Sequence, residues 1–299
     1  MTYSGQTAWI TGASSGIGEA LAMGLAARGA RLVLSGRNVS ELERVASACA
    51  GEALVLPFET TAYAALPGLV AQAWEWGDGI DLLINNAGIS QRSLAEETEF
   101  AVYERIVAVD LLAPIALTQA LLPLMIARNR GRLAFISSIA GKVGVPMRTA
   151  YSAAKFGLLG YADALRAELS VHGIQVHGIA PGSIRTNVSR NALTSDGSAR
   201  GFSDPAIDKG IDPNAAAAEM LDAMAAGQRE IVVAEGVEKE MGELTRTPDA
   251  LFDQVADLMA QGYAAQLKQE PRAWTRLASP SPAGSSWTWS MSDPETLRC

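Results

Sequence analysis

Seven short apolar runs, each followed by a helical stretch or a long connection, limit what this chain can fold into. They occupy residues 7–11, 31–35, 53–57, 81–85, 132–137, 174–180 and 231–234. Runs without polar alternation need cover on both faces, and an intervening helix returns the chain to start the next strand in the same direction. This alternation predicts a parallel sheet of about seven strands with helices on both faces, a doubly wound α/β fold. Helices are expected over 17–28, 40–50, 62–76, 99–128, 150–172 and 213–224. Ser40, with Glu43 three residues on, reads as a capping box. Asp212 and Pro213 read as the N-cap and first position of a helix. The 299 residues are enough for a large core without staples. One domain is expected over 1–235, with a helical extension over 236–270 and a Ser/Pro-rich tail over 271–299 that carries Trp274, Trp287 and Trp289.

Charge and cysteine content exclude several classes. Lys plus Arg is 24 against 32 Asp plus Glu, a formal charge of −8. Such a chain is poorly suited to nucleic acid, which needs cations to displace counterions. Cys49 and Cys299 are too few for a disulfide framework. No basic region followed by an apolar one opens the sequence, so no signal peptide is expected and the location reads as cytoplasmic. The most membrane-like stretch, 106–127, contains Asp110, Pro114, Thr118, Gln119 and Pro123. An Asp at mid-membrane costs ~3 kcal/mol, so a buried, interface-forming helix is expected instead. His172 and His177 are the two histidines, and no metal-ligand spacing exists.

Thr11-Gly12-Ala13-Ser14-Ser15-Gly16-Ile17-Gly18 joins the first strand to the first helix. Gly12 suits a tight turn, Gly16 and Gly18 allow close approach, and the helix N-terminus offers free N–H groups to a pyrophosphate. The spacing is G-x3-G-x-G rather than G-x-G-x-x-G. Gly12 to Gly16 also match G-x-S-x-G, which would make Ser14 an esterase nucleophile. That reading needs strands before the turn and a suitably placed His after it, and the motif sits on the first strand.

Further motifs give these features a family likeness. Thr11–Gly18, then Asn85-Asn86-Ala87-Gly88, then Tyr151-Ser152-Ala153-Ala154-Lys155, then Pro181-Gly182-Ser183-Ile184-Arg185-Thr186, resemble the short-chain dehydrogenase/reductase family in order and spacing over about residues 6–235. The resemblance implies a Rossmann-type fold and a nicotinamide dinucleotide held by Gly12, Ser14, Ser15, Gly16, Ile17, Gly18, Asn86, Ala87, Gly88, Pro181, Gly182, Ile184 and Thr186, with Tyr151 and Lys155 also touching it. Residues 116–123 and 137–151 resemble the branch that includes the membrane-anchored animal member-seven reductases. No counterpart of their N-terminal anchor is visible, so a soluble chain is expected. Family members pair the two long helices across a two-fold axis, which implies a homodimer or homotetramer.

The second strand ends Leu34-Ser35-Gly36-Arg37-Asn38. An acid here would hold a ribose 2′-hydroxyl and repel a 2′-phosphate. None is present, and Arg37 offers a planar fork suited to phosphate. NADP(H) is therefore expected over NAD(H), with Asn38 beside it. Glu59 stands where the family places an adenine-contacting acid.

Tyr151 and Lys155 are four apart and share a helix face. An ammonium ~4 Å from the phenol favours phenolate by about 4 kcal/mol at an effective dielectric of about 20. Such a Tyr can give or take a proton near neutrality. Ser138, thirteen residues earlier, takes the family's place for stabilising the substrate oxygen. Ser137 is the neighbouring alternative, turned to the opposite face by strand alternation. Where the family commonly has an Asn that orders a water for the Lys, this chain has Asp110. It is either an altered relay or a structural Asp satisfied by backbone. Residues 143–147 and the Gly/Ser-rich segment 187–211 are expected to line the substrate pocket. The expected activity is hydride transfer between NADP(H) and a small carbonyl or secondary alcohol, with no metal. The alternatives are a non-catalytic dinucleotide-binding regulator on the same fold and, remotely, a serine hydrolase through Ser14.

Overall fold

The computed structural model describes residues 3–243 together with 253, 256, 257, 260 and 261. The tail expected over 271–299, with its three tryptophans, lies outside the described residues, as does much of the extension over 236–270.

Seven parallel strands form one sheet: β1 Thr7–Thr11, β2 Arg31–Ser35, β3 Ala53–Val55, β4 Leu82–Asn85, β5 Gly131–Ile136, β6 Ile174–Pro181 and β7 Glu230–Val233. Their spatial order is β3-β2-β1-β4-β5-β6-β7. The helices are α1 Gly16–Ala27, α2 Val39–Ala48, α3 Leu66–Gly77, α4 Phe100–Val107, α5 Ala113–Arg128, α6 Thr149–Leu169, α7 Pro205–Asp208, α8 Pro213–Ala225 and α9 Gly236–Glu243.

The alternation of each strand divides the core into two layers. Ile10, Leu32, Leu34, Leu82 and Ile84 face α1 and α8 in one cluster. Trp9, Val33, Leu83, Leu133 and Phe135 face α3, α5 and α6 in the other. Each fully buried Leu, Ile or Phe contributes ~1.5–3 kcal/mol, so burial on both faces fastens the sheet to its helices. His177 lies in β6 and His172 in the last turn beyond α6.

Two local expectations are corrected. The start of α2 is capped by Asn38, whose Oδ1 accepts from Glu41 N at 3.3 Å and from the Ser40 hydroxyl at 2.9 Å. Ser40 is inside the helix, because Asn38 takes the extended backbone a cap requires. The long helix expected over 99–128 is also not uniform. A π-helical turn, Ala108–Leu112, separates α4 from α5. Such a turn inserts a residue and re-aims the side chain within it. Phe100–Arg128 is long and apolar enough to cross a membrane by length and composition. In the fold, Leu117, Leu121 and Met125 pack it against the sheet, and Asp110 is completely buried.

Candidate active site

From β1 the chain winds first through β2 to β3 and then, from β4, in the other direction. The crossovers therefore part between β1 and β4 and leave a crevice beyond the strand ends. A cavity of about 960 Å³ fills it, at the large end of the range for ligand sites.

The nucleotide end is built from backbone. Gly12 has φ +65°, and a Cβ there would stand 2.9 Å from Ala87 Cα. At Gly18 a Cβ would stand 2.2 Å from Gly12 O. No other residue fits either place. Thr11 Oγ1 accepts from Asn86 N at 3.0 Å and Ala87 N at 3.1 Å, and Asn86 Nδ2 donates to Thr11 O at 2.9 Å. These bonds tie the ends of β1 and β4 together beneath the crevice. Gly12, Ser14, Ser15, Gly16 and Ile17 line the cavity, whereas Gly18 packs behind them. Ser15 caps α1 without a side-chain bond. Its hydroxyl and the first N–H groups of α1 are left for an oxyanion.

Arg37 and Glu59 line the same end and form an ion pair at 3.6 Å, both well exposed. Asn38 does not line the cavity, because its side chain caps α2. Asn86, Ala87 and Gly88 form the floor, and Pro181, Gly182, Ile184 and Thr186 close the far side beyond β6. Glu238 of α9 steadies that side, accepting from Ser183 N at 2.7 Å and Oγ at 2.9 Å.

Ser138, Tyr151, Lys155 and Asp110 all line the cavity. Ser138 Oγ accepts from Ala140 N at 3.1 Å, which leaves its proton free to donate to a ligand. Ser137 turns inward, and its hydroxyl donates to Lys155 O at 2.9 Å, fastening α6 to the end of β5. Lys155 Nζ donates to Ile136 O at 3.0 Å and lies 5.6 Å from the centre of the Tyr151 ring.

Asp110 bonds backbone, as one of its two sequence readings requires, and also stands beside Lys155. Its Oδ1 accepts from Ile89 N at 2.8 Å. Its Oδ2 stands 3.2 Å from Lys155 Nζ, off the line of a hydrogen bond. Burial pushes the Asp110 carboxyl above its ordinary range, against the opposing pull of Lys155 and the Ile89 N–H. The π-helical turn is what brings it there. Gly88 leaves the pair room, since a Cβ there would be 3.1 Å from Oδ2 and 3.3 Å from Nζ.

Gln91 is a positioning residue that sequence reasoning missed. Its Oε1 accepts from Ala150 N at 2.9 Å, and its Nε2 donates to Ser93 Oγ at 3.2 Å. It thereby pins the first turn of α6, one residue before Tyr151, to the loop after β4. A Gln in a loop carries no spacing signal that could have revealed this. At the substrate end, Asn187, Val188, Asn191 and Leu193 line the cavity as expected. Residues 143–147 do not. Met147 adopts φ +62° and is 43 % exposed, and its carbonyl is held by Ser93 N at 3.1 Å. That contact ties the end of this segment to the loop after β4.

Comparison with known proteins bears on this geometry. The family described as short chain dehydrogenase matches residues 6–196. The chain is 41 % identical over 235 residues to the Bos taurus dehydrogenase/reductase SDR family member 7B, covering 76 % of this chain and 72 % of that one. It is 40 % identical over 238 residues to an Anopheles gambiae SDR family protein 7-like, covering 77 % and 75 %. A metagenomic short-chain oxidoreductase solved in complex with NADP superposes with a TM-score of 0.65 at 32 % identity, over 79 % of this chain and 100 % of that one. A short-chain dehydrogenase from Streptomyces avermitilis gives 0.70 at 26 %, over 88 % and 100 %. The family match spans β1 to β6 and leaves only β7 of the sheet outside it, and the chain belongs to the short-chain dehydrogenase/reductase family.

Proposed function

We propose that the protein transfers hydride between NADP(H) and a carbonyl or secondary alcohol substrate, with Tyr151 as general acid and base. The observation that carries this reading is that Ser138, Tyr151 and Lys155 line the same cavity as the glycine turn. The residues present fit a dinucleotide: Ser15 leaves the N-terminus of α1 open, and Gly12 and Gly18 leave no side chain in the way. When bound, the nicotinamide would supply or accept the hydride. Ser138 would donate its free proton to the substrate oxygen and stabilise charge developing there. Tyr151 would deliver the proton in reduction and remove it in oxidation. Lys155, held by Ile136 O and Asp110, would keep positive charge beside the phenol and reach the nicotinamide ribose. Arg37 would hold a 2′-phosphate, exchanging its exposed Glu59 partner for a charge-assisted fork.

Assembly follows from the same chain. Leu112 is 46 % exposed and Phe100 74 %, on the helical stretch beside α6. We infer that these helices pair in a homodimer or homotetramer, and a monomer mass in light scattering at micromolar concentration would overturn that. The functional test is NADPH oxidation with a panel of carbonyl compounds. Turnover of at least one supports the reading. A chain that binds NADPH and turns over none of them is the non-catalytic binder instead.

A further inference from the structure

Three basic side chains among the described residues line the cavity: Arg37, Arg105 and Lys155. Arg37 is paired with Glu59 and Lys155 with Asp110. Arg105 alone of the three makes no hydrogen bond, ion pair or ring contact with any described residue. It lies in the last turn of α4 and is exposed. The chain runs on from there into the π-helical turn, so no open row of carbonyls is present for the cation to cap.

The anchors of α4 fix what this side chain overlooks. Before the helix, Glu99 N donates to Ser195 O at 2.9 Å. In its first turn Val102 meets the same segment, since a Cβ on Gly197 would stand 3.7 Å from Val102 Cγ2. Beyond its last turn the Tyr63 hydroxyl donates to Ala108 O at 3.3 Å, four residues after Glu59. The helix therefore runs from the substrate segment 187–211 to the loop that carries Glu59. Ala101, Glu104, Arg105 and Ala108 form one helical stripe along it, and all four line the cavity. Arg105 is on the inner flank of that stripe. One turn on is Val109, which lines both the cavity and a small neighbouring pocket shared with Thr11 and Ala87. Glu104 is on the outer flank, one turn from Phe100, which is 74 % exposed. The sheet separates α1 on one face from α5 and α6 on the other, and α4 packs on α6 through Val102, Ile106, Ala150 and Ala154. The N-terminus of α1 and Arg105 thus flank the crevice from opposite sides.

We propose that Arg105 holds the pyrophosphate of the dinucleotide from the side opposite the glycine turn. This rests on the reading of the cavity as an NADP(H) site and assigns that site a further binding residue. A dinucleotide with its adenosine by Arg37 and Glu59 and its nicotinamide by Tyr151 carries its pyrophosphate between them, along the stretch that α4 spans. The glycine turn meets that group with backbone N–H groups and the partial charge of a helix end. Arg105 adds a full charge, and its planar fork matches phosphate oxygens.

The test is equilibrium titration of the wild type, Arg105→Gln and Arg105→Lys with NADPH, NADH, ADP and adenosine 2′-monophosphate, in which no turnover is needed. Arg105→Gln weakens NADPH, NADH and ADP alike by about ten-fold, the worth of one charge-assisted hydrogen bond. It leaves adenosine 2′-monophosphate, which has no pyrophosphate, unchanged. Arg105→Lys regains part of the loss. The wild type loses ADP affinity with added salt more steeply than Arg105→Gln does, because an exposed charge contact is screened. Thermal melting of each variant, unchanged for an exposed side chain, reports the fold. Undiminished ADP affinity in Arg105→Gln overturns the proposal. So does a loss confined to NADPH and adenosine 2′-monophosphate, which would put Arg105 on the 2′-phosphate. A wild type that binds NADPH but reduces no carbonyl would instead sink the proposed activity, and every arm of the titration would still be read.

Discussion

The two ends of the cavity are built by different physics. At the nucleotide end the structure is held by neutral hydrogen bonds among Thr11, Gly12, Asn86 and Ala87, within backbones packed too closely for a Cβ. At the substrate end it is held by ion pairs, Asp204 with Arg92 and Arg200, across a segment of irregular chain. Asp110 and Lys155 sit where the two meet. Neutral backbone contacts are insensitive to salt and pH, whereas partly exposed ion pairs are screened and titrate. The nucleotide end should therefore behave as a fixed frame and the substrate end as an adjustable one.

The largest expected effect lies at the junction. Tyr151→Phe should lower turnover by ~10²-fold or more, the worth of a positioned acid, while NADPH binding stays near wild type. Lys155→Ala should lose both. Steady-state rates and cofactor titration check this, and near-wild-type turnover in Tyr151→Phe would remove the proposed mechanism. Next comes Gly18→Ala, which forces a methyl toward Gly12 O, 2.2 Å away. Overpacking of this kind costs about 1–3 kcal/mol. It should appear as weaker NADPH affinity, with hydrogen exchange in 187–211 unchanged.

Asp204→Asn should do the reverse, speeding exchange in 187–211 and leaving the glycine turn protected. Burial pushes the Asp204 carboxyl up, but hydrogen bonds from Arg200 and Arg92 outweigh it and hold it well below the usual range. A depressed carboxyl stabilises above its ordinary value of 3.8 and loses that contribution as pH falls through the folded value. The loop should thus stay anchored at neutral pH and loosen only in strong acid. Equal exchange at both ends of the cavity in Asp204→Asn would erase the contrast drawn here.

Two smaller effects sharpen it. Arg37→Ala should narrow the preference for NADPH over NADH by about ten-fold, as expected for loss of one charge-assisted contact. Equal dissociation constants for the two cofactors in the wild type would sink that assignment. Asp110→Asn removes a negative charge 3.2 Å from Lys155. The phenolate then gains net positive surroundings, and the apparent pKa of turnover should move downward by roughly one unit. An unmoved pH–rate profile would show Asp110 already neutral and leave Ser138, Tyr151 and Lys155 in place.

The sequence by itself determined the sheet, because its apolar runs are local and their alternation with helices permits little else. It also determined the glycine turn and the shared face of Tyr151 and Lys155, since each depends on residues at most a few positions apart. The places where it fell short are those where distant residues compete. Ser40 and Asn38 were both able to cap α2, and the backbone at Asn38 decided it. Asp110 turns one carboxylate oxygen to Ile89 N and places the other beside Lys155, a placement its position in the sequence does not reveal. No spacing encodes a π-helical turn that aims it there. Gln91 reaches Ala150 across 59 positions and Arg92 reaches Asp204 across 112. Such contacts leave no periodic trace, because a single long-range hydrogen bond or ion pair constrains only its two ends. Local pattern thus set the frame of the cavity, and tertiary packing alone decided which charges are paired around it.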